Sequence, residues 1–329
     1  MESFVSDAGS KVFHFRFEAP AQPLKPYLLE RYQFGREARW RDTFYPHRVR
    51  LNGAPVAEDT WARPGDTIAY RHMRAEEPPA PAELAVLYED RWLLAVEKPD
   101  SLPVSPSGLY YFSSLAILAR ERFGAPELTP VHRLDLETSG VLLLARRRAD
   151  AARFHALFEA HAVVKRYLAL VYGAFPQGRR ELAGRIAPHP DSAIRTKLWL
   201  DPAGEPNSLT RVLDVAQHEA CAPGERRCSE LLLEPVTGKT NQIRVHLAHA
   251  GHPIVGDKKY HPDEGVFLDW LVHRDEARMR ERLWLPRQAL HCRSLSFTHP
   301  FTGRPVTIGS AAGAWRAKTA GAIAAPKLG

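Results

Sequence analysis

An α+β fold in two unequal parts is what this sequence predicts, and three observations lead there. Segments with strand character and segments with helix character follow one another without the regular alternation of a doubly wound sheet. Runs such as VLLLA (Val141–Ala145) are dense in branched aliphatics, the mark of a buried strand. A stretch rich in proline and charge, RAEEPPAPAEL (Arg74–Leu84), has little to bury and separates a small part from a large one. The expected division is a small α+β unit over 1–73, a linker over 74–83, the main domain over 84–310 and a tail over 311–329.

The elements follow in order. A polar, aromatic helix is expected over Leu24–Tyr32. VRLNGAPV (Val49–Val56) reads as two short strands about an Asn52-Gly53 turn, and a Pro64-Gly65 turn leads into a strand over Thr67–Arg71. LAVLYEDRWLLAVEKP reads as a hairpin turning at Glu89-Asp90. FSSLAILARERFG (Phe112–Gly124) has helical spacing and stops at Gly124, ahead of Pro126. Asp150 is placed to cap a helix through His161, with Phe154, Leu157 and Phe158 on its apolar face. RYLALVYG (Arg166–Gly173) and ELLLEPV (Glu230–Val236) read as strands. Thr240 is placed to cap a helix through Ala250, ended by Gly251 and Pro253, and HRDEARMRER (His273–Arg282) reads as a charged, solvated helix face.

Composition narrows the function classes. Hydrophobic residues make up 44% and charged residues 25%, as in ordinary globular proteins. No apolar run approaches the length of a membrane span, and MESFVSDAGSKVFHFRF lacks the basic region and apolar core of a signal peptide, so a cytoplasmic protein is expected. Lysine and arginine outnumber acidic residues 45 to 38, for a net charge of +7, which permits a polyanionic partner without naming one. Arginine dominates the positive set and suits phosphate or base contacts. The three cysteines have neither C-x-x-C spacing nor an even count, which argues against a zinc site or a disulfide framework. Fifteen histidines include no H-E-x-x-H grouping, and no Gly-rich phosphate loop appears.

The stretch VHRLDLETSG (Val131–Gly140) packs charges of both signs ahead of the apolar VLLLA. Taken alone, Asp135 could organise a turn through bonds to backbone N–H groups. In context, HRLDLETSGVLLLAR resembles the signature of the RluA-type pseudouridine synthases, H-R-L-D-x-x-T-S-G followed by apolar residues. EKPDSLPVSPSG (Glu97–Gly108), KRYLALVYG (Lys165–Gly173) and VTGKTNQIRVHLAHAGHPIVGDKKY (Val236–Tyr260) are similar to that family's other motifs, in its order and spacing. The N-terminal unit resembles a degenerate S4 RNA-binding module in V-R-L-N-G and P-G-D. Two departures stand out: Lys239 and Asn241 take the family's arginine and histidine places, and Lys98-Pro99 is followed by Asp-Ser instead of Ala-Gly.

The resemblance implies a mixed, mainly antiparallel central sheet flanked by helices, and an enzyme that turns specific uridines of structured rRNA or tRNA into pseudouridine. That reaction breaks the C1′–N1 bond, rotates the uracil and rejoins it through C5. It is redox-neutral, so no cofactor and no metal are expected, and RNA is the partner of a monomeric protein. The resemblance places the acting carboxylate on Asp135 and its guanidinium partner on Arg244, which favours the charged form. It makes Tyr167 the aromatic plane against the flipped base, with a share in removing the C5 proton. Arg133 is the candidate to fill the vacated stack, and Lys165, Lys239 and Gln242 are expected to face the substrate. Lys98 is expected on a phosphate-facing loop and His132 as a structural residue. The bland alternatives are a helix-lining role for Arg244, a core role for Tyr167 and turn packing for Arg133. A catalytically silent RNA-binding or assembly protein is the competing function; a zinc deaminase lacks its Cys/His pattern.

Overall fold

The computed structural model describes residues 6–32, 48–80, 83–107, 110–218 and 227–311. The described residues up to Pro79, joined by those within 106–113, form one compact unit, and the described residues of 80–105 and from Ser114 onward form a second.

In the first unit Asn52 and Gly53 both take positive φ, 51° and 82°, the conformation of a type I′ hairpin turn that Asn and Gly adopt at least cost. That turn joins β3 (Val49–Leu51) to β4 (Ala54–Pro55). With β1 (Ser10–Arg16) and β6 (Thr67–Met73) they form an antiparallel sheet in the order β1-β6-β3-β4. β2 (Gln22–Pro23) pairs with β5 (Trp61–Ala62) and leads into α1 (Leu24–Tyr32), whose Leu24 and Leu28 bury against Phe17, Val49 and Ile68. Within the stretch read as linker, Arg74–Glu76 form a 3-10 turn. Buried Glu77 accepts N–H bonds from Tyr111, Phe112 and Ser113 at 2.9, 2.8 and 2.5 Å and lies 2.7 Å from His72 Nε2. Glu77 thereby fastens Tyr111–Ser113 to this unit.

The second unit is built on β7 (Val86–Glu89), β8 (Leu93–Lys98), β9 (Thr129–Pro130), β10 (Ser139–Ala145), β11 (Val164–Tyr172), β12 (Arg180–Pro188), β13 (Leu198–Asp201), β14 (Ser208–His218), β15 (Cys228–Pro235), β16 (Leu290–Thr298) and β17 (Pro305–Gly309). Nine run in the order β13-β12-β14-β15-β11-β16-β10-β8-β7, while β17 adds to β16 and β9 to β10. β10 and β16 are parallel and the other pairs antiparallel, the mixed, mainly antiparallel sheet that was expected. The helices are α2 (Leu115–Arg122), α3 (Ala151–Glu159), α4 (Gln242–His249), α5 (Gly265–His273) and α6 (Glu276–Leu283). Met279 and Leu283 of α6 pack with Val266 of α5, so the charged HRDEARMRER helix also has an apolar side.

All seven residues of β10 are buried, which is why VLLLA shows no polar alternation. Two cores flank the sheet, one around β8, β10, α2 and α3 and one around β11, β14, β15 and α4, and Tyr167 packs against both. α4 begins at Gln242, after Asn241 in a left-handed conformation; Thr240 is therefore not the cap. Asp150 precedes α3 without a side-chain capping bond. Cys228 is disulfide-bonded, which the cysteine count did not suggest, and Cys292 is a buried free thiol. Cys221 and the expected tail lie outside the described residues, apart from Ala311.

Gly140 sets the start of β10. Its φ is +113°, and a Cβ there would stand 2.2 Å from the carbonyl oxygen of Cys292 on β16. Gly140→Ala combines backbone strain with overpacking and should cost roughly 2–5 kcal/mol. Urea unfolding checks this; an unchanged midpoint would contradict it.

Candidate active site

The loop carrying Asp135 is held from both ends. At its start, Val131 N–H donates to the Leu143 carbonyl, and Leu143 N–H donates to His132 Nε2, both at 3.0 Å. The His132 ring stacks on Phe158, and burial pushes its pKa down to about 3, so the neutral ring serves as acceptor. This is the structural histidine expected. Thr138 N–H closes a turn onto the Asp135 carbonyl at 3.1 Å. Gln288 Nε2 donates to Thr138 Oγ1 at 2.7 Å, and Ser139 Oγ lies 2.9 Å from His291 Nδ1.

Lys98 corrects the expectation of a phosphate-facing loop. Its side chain is fully buried, and Nζ donates to the carbonyls of Pro99, Leu136 and Thr138 at 2.9, 3.0 and 2.8 Å. Three carbonyls take up all three ammonium hydrogens, and two of them, Leu136 and Thr138, belong to the turn that follows Asp135. Burial pulls this lysine down to about 7. In the departing Asp-Ser pair, Asp100 forms an ion pair with Arg287 at 2.6 Å, and Ser101 takes φ 59°, the left-handed turn a glycine would favour. Glu137, given no role from the sequence, pairs with buried Lys258 at 2.6 Å and ties the loop to the segment after Asp257.

Asp135 itself is 25% exposed on its side chain. Arg244 Nη1, from the first turns of α4, donates to Asp135 Oδ2 at 2.8 Å. The rest of the guanidinium is held by Asp257, with Nε to Oδ2 at 2.6 Å and Nη2 to Oδ1 at 2.9 Å. Such a two-toothed contact fixes the plane of the arginine as well as its charge. Asp257 is fully buried and also accepts the N–H groups of Lys259 and Tyr260 at 3.0 and 3.1 Å. Burial works against the Arg244 charge, but Asp257 and then Asp135 outweigh it and hold the group well above its ordinary value. For Asp257 burial raises the pKa, yet Arg244 and the backbone N–H bonds leave it below its usual 3.8.

Two further residues complete this cluster. Asn241 Oδ1 accepts from Arg244 Nη1 at 3.1 Å, and its Nδ2 donates to Tyr260 Oη at 3.0 Å. Its φ of 56° is one that asparagine tolerates better than most residues. The Tyr260 ring lies 4.9 Å from the Arg244 guanidinium. Asp257 and Tyr260 stand in the G-D-x-x-Y stretch of the sequence, which was their signal, although it showed no partner for either.

Tyr167 sits on β11, where burial raises its phenol well above the ordinary value. The neighbouring Cys292 and then Asp135 add to that rise. Arg133 is exposed, and its side chain makes no hydrogen bond or ion pair among the described residues. Lys239 is exposed, and its backbone N–H donates to Gln242 Oε1 at 3.1 Å. Gln242 and Lys165, read from the sequence as substrate-facing, are both buried. Gln242 accepts from Thr237 Oγ1 at 2.6 Å and donates to the Leu209 carbonyl and Thr210 Oγ1 at 2.9 and 3.0 Å, so its amide is used up inside the fold. Lys165 Nζ donates to the Thr237 carbonyl at 3.1 Å. Both therefore shape the turn that leads into α4. Among the described residues no cluster of three metal-ligating side chains occurs.

Asp257 gives a test through pH. Because its folded pKa is lowered, it contributes stability that is complete above about pH 4 and is lost as pH falls through the folded value. The stability gap between the natural protein and Asp257→Asn should be widest at pH 7 and narrow toward pH 3 in urea titrations. A gap that stays constant with pH would refute the assignment.

The family model described as RNA pseudouridylate synthase matches residues 92–249. A tRNA pseudouridine synthase C from Salmonella typhimurium is 34% identical over 68% of this chain and 84% of its own length. A ribosomal large subunit pseudouridine synthase C from Haemophilus influenzae is 30% identical over 78% and 77%. A mitochondrial tRNA pseudouridine(32) synthase from Saccharomyces cerevisiae is 28% identical over 75% of this chain, but the chain spans only 56% of that relative. Among solved structures, human RNA pseudouridylate synthase domain containing 1 aligns with a TM-score of 0.56 at 28% identity, over 71% of this chain and 86% of that one. With the Asp135–Arg244 pair seated in the matched region, the chain belongs to the RNA pseudouridylate synthase family, in its RluA-type branch.

Proposed function

We propose that this chain is an RNA pseudouridine synthase that isomerises specific uridines of structured rRNA or tRNA without a cofactor. The observation that carries the reading is the 2.8 Å contact of Arg244 with Asp135, on an arginine locked from behind by buried Asp257. A carboxylate aimed by a fixed guanidinium, yet partly open to solvent, can act at the sugar–base junction. Asp135 promotes cleavage of the C1′–N1 bond; the uracil turns, C1′ bonds to C5, the C5 proton leaves and N1 gains one. Atoms and electrons balance within the nucleotide and a proton exchange.

In this proposal Tyr167 is a platform for the base and a hydroxyl donor. Arg133, exposed beside Asp135 and unpaired among the described residues, supplies a flat cation for the vacated stack, at a site where unstacking costs a few kcal/mol. Lys239 contributes a phosphate contact, while Lys165 and Gln242 hold the turn before α4 in place. The N-terminal unit is proposed as an accessory RNA-binding module. Action in the cytoplasm and as a monomer belong to the same proposal; among the described residues no helix is long and apolar enough to cross a membrane.

Purified protein incubated with rRNA and tRNA transcripts should create carbodiimide-reactive uridines that stop primer extension. Transcripts left wholly unmodified by a folded protein would refute the proposal. Binding should weaken steeply with salt as condensed counterions are released.

A further inference from the structure

Beside Tyr260 lies a cavity of about 270 Å³, lined by Trp199, Leu200, Val245, His249, Pro253 and Tyr260 among others. We infer that this cavity is a subsite for a nucleobase flanking the target uridine; the inference rests on the RNA reading proposed above.

Four observations carry it. The volume falls just below the roughly 300–1,000 Å³ of drug-sized ligand sites, so it suits one small planar group. The walls are largely apolar with a flat aromatic, Trp199, which supports any base by stacking. Trp199 is set in β13, in register with Ala187 of β12, and its ring is braced by His189 at 4.9 Å, so the platform is built in advance. Tyr260 is a wall of the cavity and also belongs to the catalytic cluster, through Asn241 and Arg244, so the two share a side chain.

The surrounding charge suits the phosphates on either side of such a base. Arg195, exposed with no ion pair among the described residues, stands two residues before Lys197, a cavity-lining lysine whose own charge is met by Glu264. Their loop is fixed rather than loose. Glu264 accepts from Ser192 Oγ, Ala193 N–H and Lys197 Nζ at 2.7, 3.1 and 2.8 Å, and Lys259 Nζ donates to the Thr196 carbonyl at 2.6 Å. Burial, and then Arg244, draw Lys259 down to about 8, while Asp135 and Asp257 oppose that fall.

The test is a binding cycle that needs no turnover. The probes are a nine-nucleotide oligouridylate and versions abasic at each of the two positions on either side of the central uridine. Trp199→Ala should weaken binding of the full oligomer by roughly ten- to hundredfold, the range of one base–aromatic stack. Trp199→Phe, which keeps an aromatic plane, should stay within about threefold. For one abasic position the losses from the RNA and from Trp199→Ala should not add, because both remove the same contact. Unchanged affinity in a folded Trp199→Ala protein, or losses that add in full at every position, overturns the subsite. Failure of the enzymatic reading shows separately, as RNA left free of pseudouridine by a protein in which the coupling holds.

Discussion

Asp135→Asn is expected to abolish pseudouridine formation, with a fall in kcat of roughly 10⁴-fold or more, while the protein stays folded. The amide has the shape of the carboxylate and can still accept from Arg244 Nη1, so the geometry of the loop survives. The charge that acts at the sugar–base junction does not. Stability should change by about 1 kcal/mol at most, because the Asp135 side chain is 25% exposed and Arg244 keeps its two bonds to Asp257. Release of tritium from RNA labelled at uridine C5 measures the rate, and urea unfolding measures the fold. Substantial turnover by the asparagine variant would remove Asp135 from the chemistry.

Arg244→Ala is expected to harm both activity and stability, and by more than a surface arginine would. It strands the fully buried Asp257 carboxylate with backbone N–H partners alone, a loss of roughly 3–5 kcal/mol for breaking a buried pair from one side. Arg244→Lys keeps the charge but cannot span Asp257 and Asp135 at once, since an ammonium lacks the planar fork. Its kcat should fall roughly 10²-fold or more with a smaller loss of stability. Combining Arg244→Ala with Asp257→Ala should destabilise less than the sum of the single changes, because the second change removes the stranded charge. Additive losses, or an alanine variant as stable and active as the natural protein, would show that the triad does not hold the site.

Much of the site was legible in VHRLDLETSG because its information is local: an acidic residue in a turn, a glycine and a buried strand behind it. The Asp135–Arg244 pair was legible through the family resemblance, since 109 residues separate the partners and no periodicity links them. Asp257 was out of view for the same reason, and nothing in G-D-x-x-Y says which cation it faces. Lys98, Lys165 and Gln242 show a second limit. Residue type signals capacity for hydrogen bonding, but only the fold decides whether water, RNA or buried carbonyls take it up, and here the protein's own interior does. Asn241, a departure from the family's histidine, proved compatible with the site because a short amide in a left-handed turn both accepts from Arg244 and donates to Tyr260. The helix start moved from Thr240 for that reason: the side chain that precedes α4 serves the arginine and leaves the helix end uncapped.

The central claim is that Asp135, aimed by Arg244, makes pseudouridine in RNA. Its most direct measurement is a pseudouridine map of rRNA and tRNA from cells lacking the gene, complemented by the natural protein or by Asp135→Asn. At least one site should vanish on deletion, return with the natural protein and stay absent with the asparagine variant. A map unchanged by deletion, or one restored equally by both, would contradict the account.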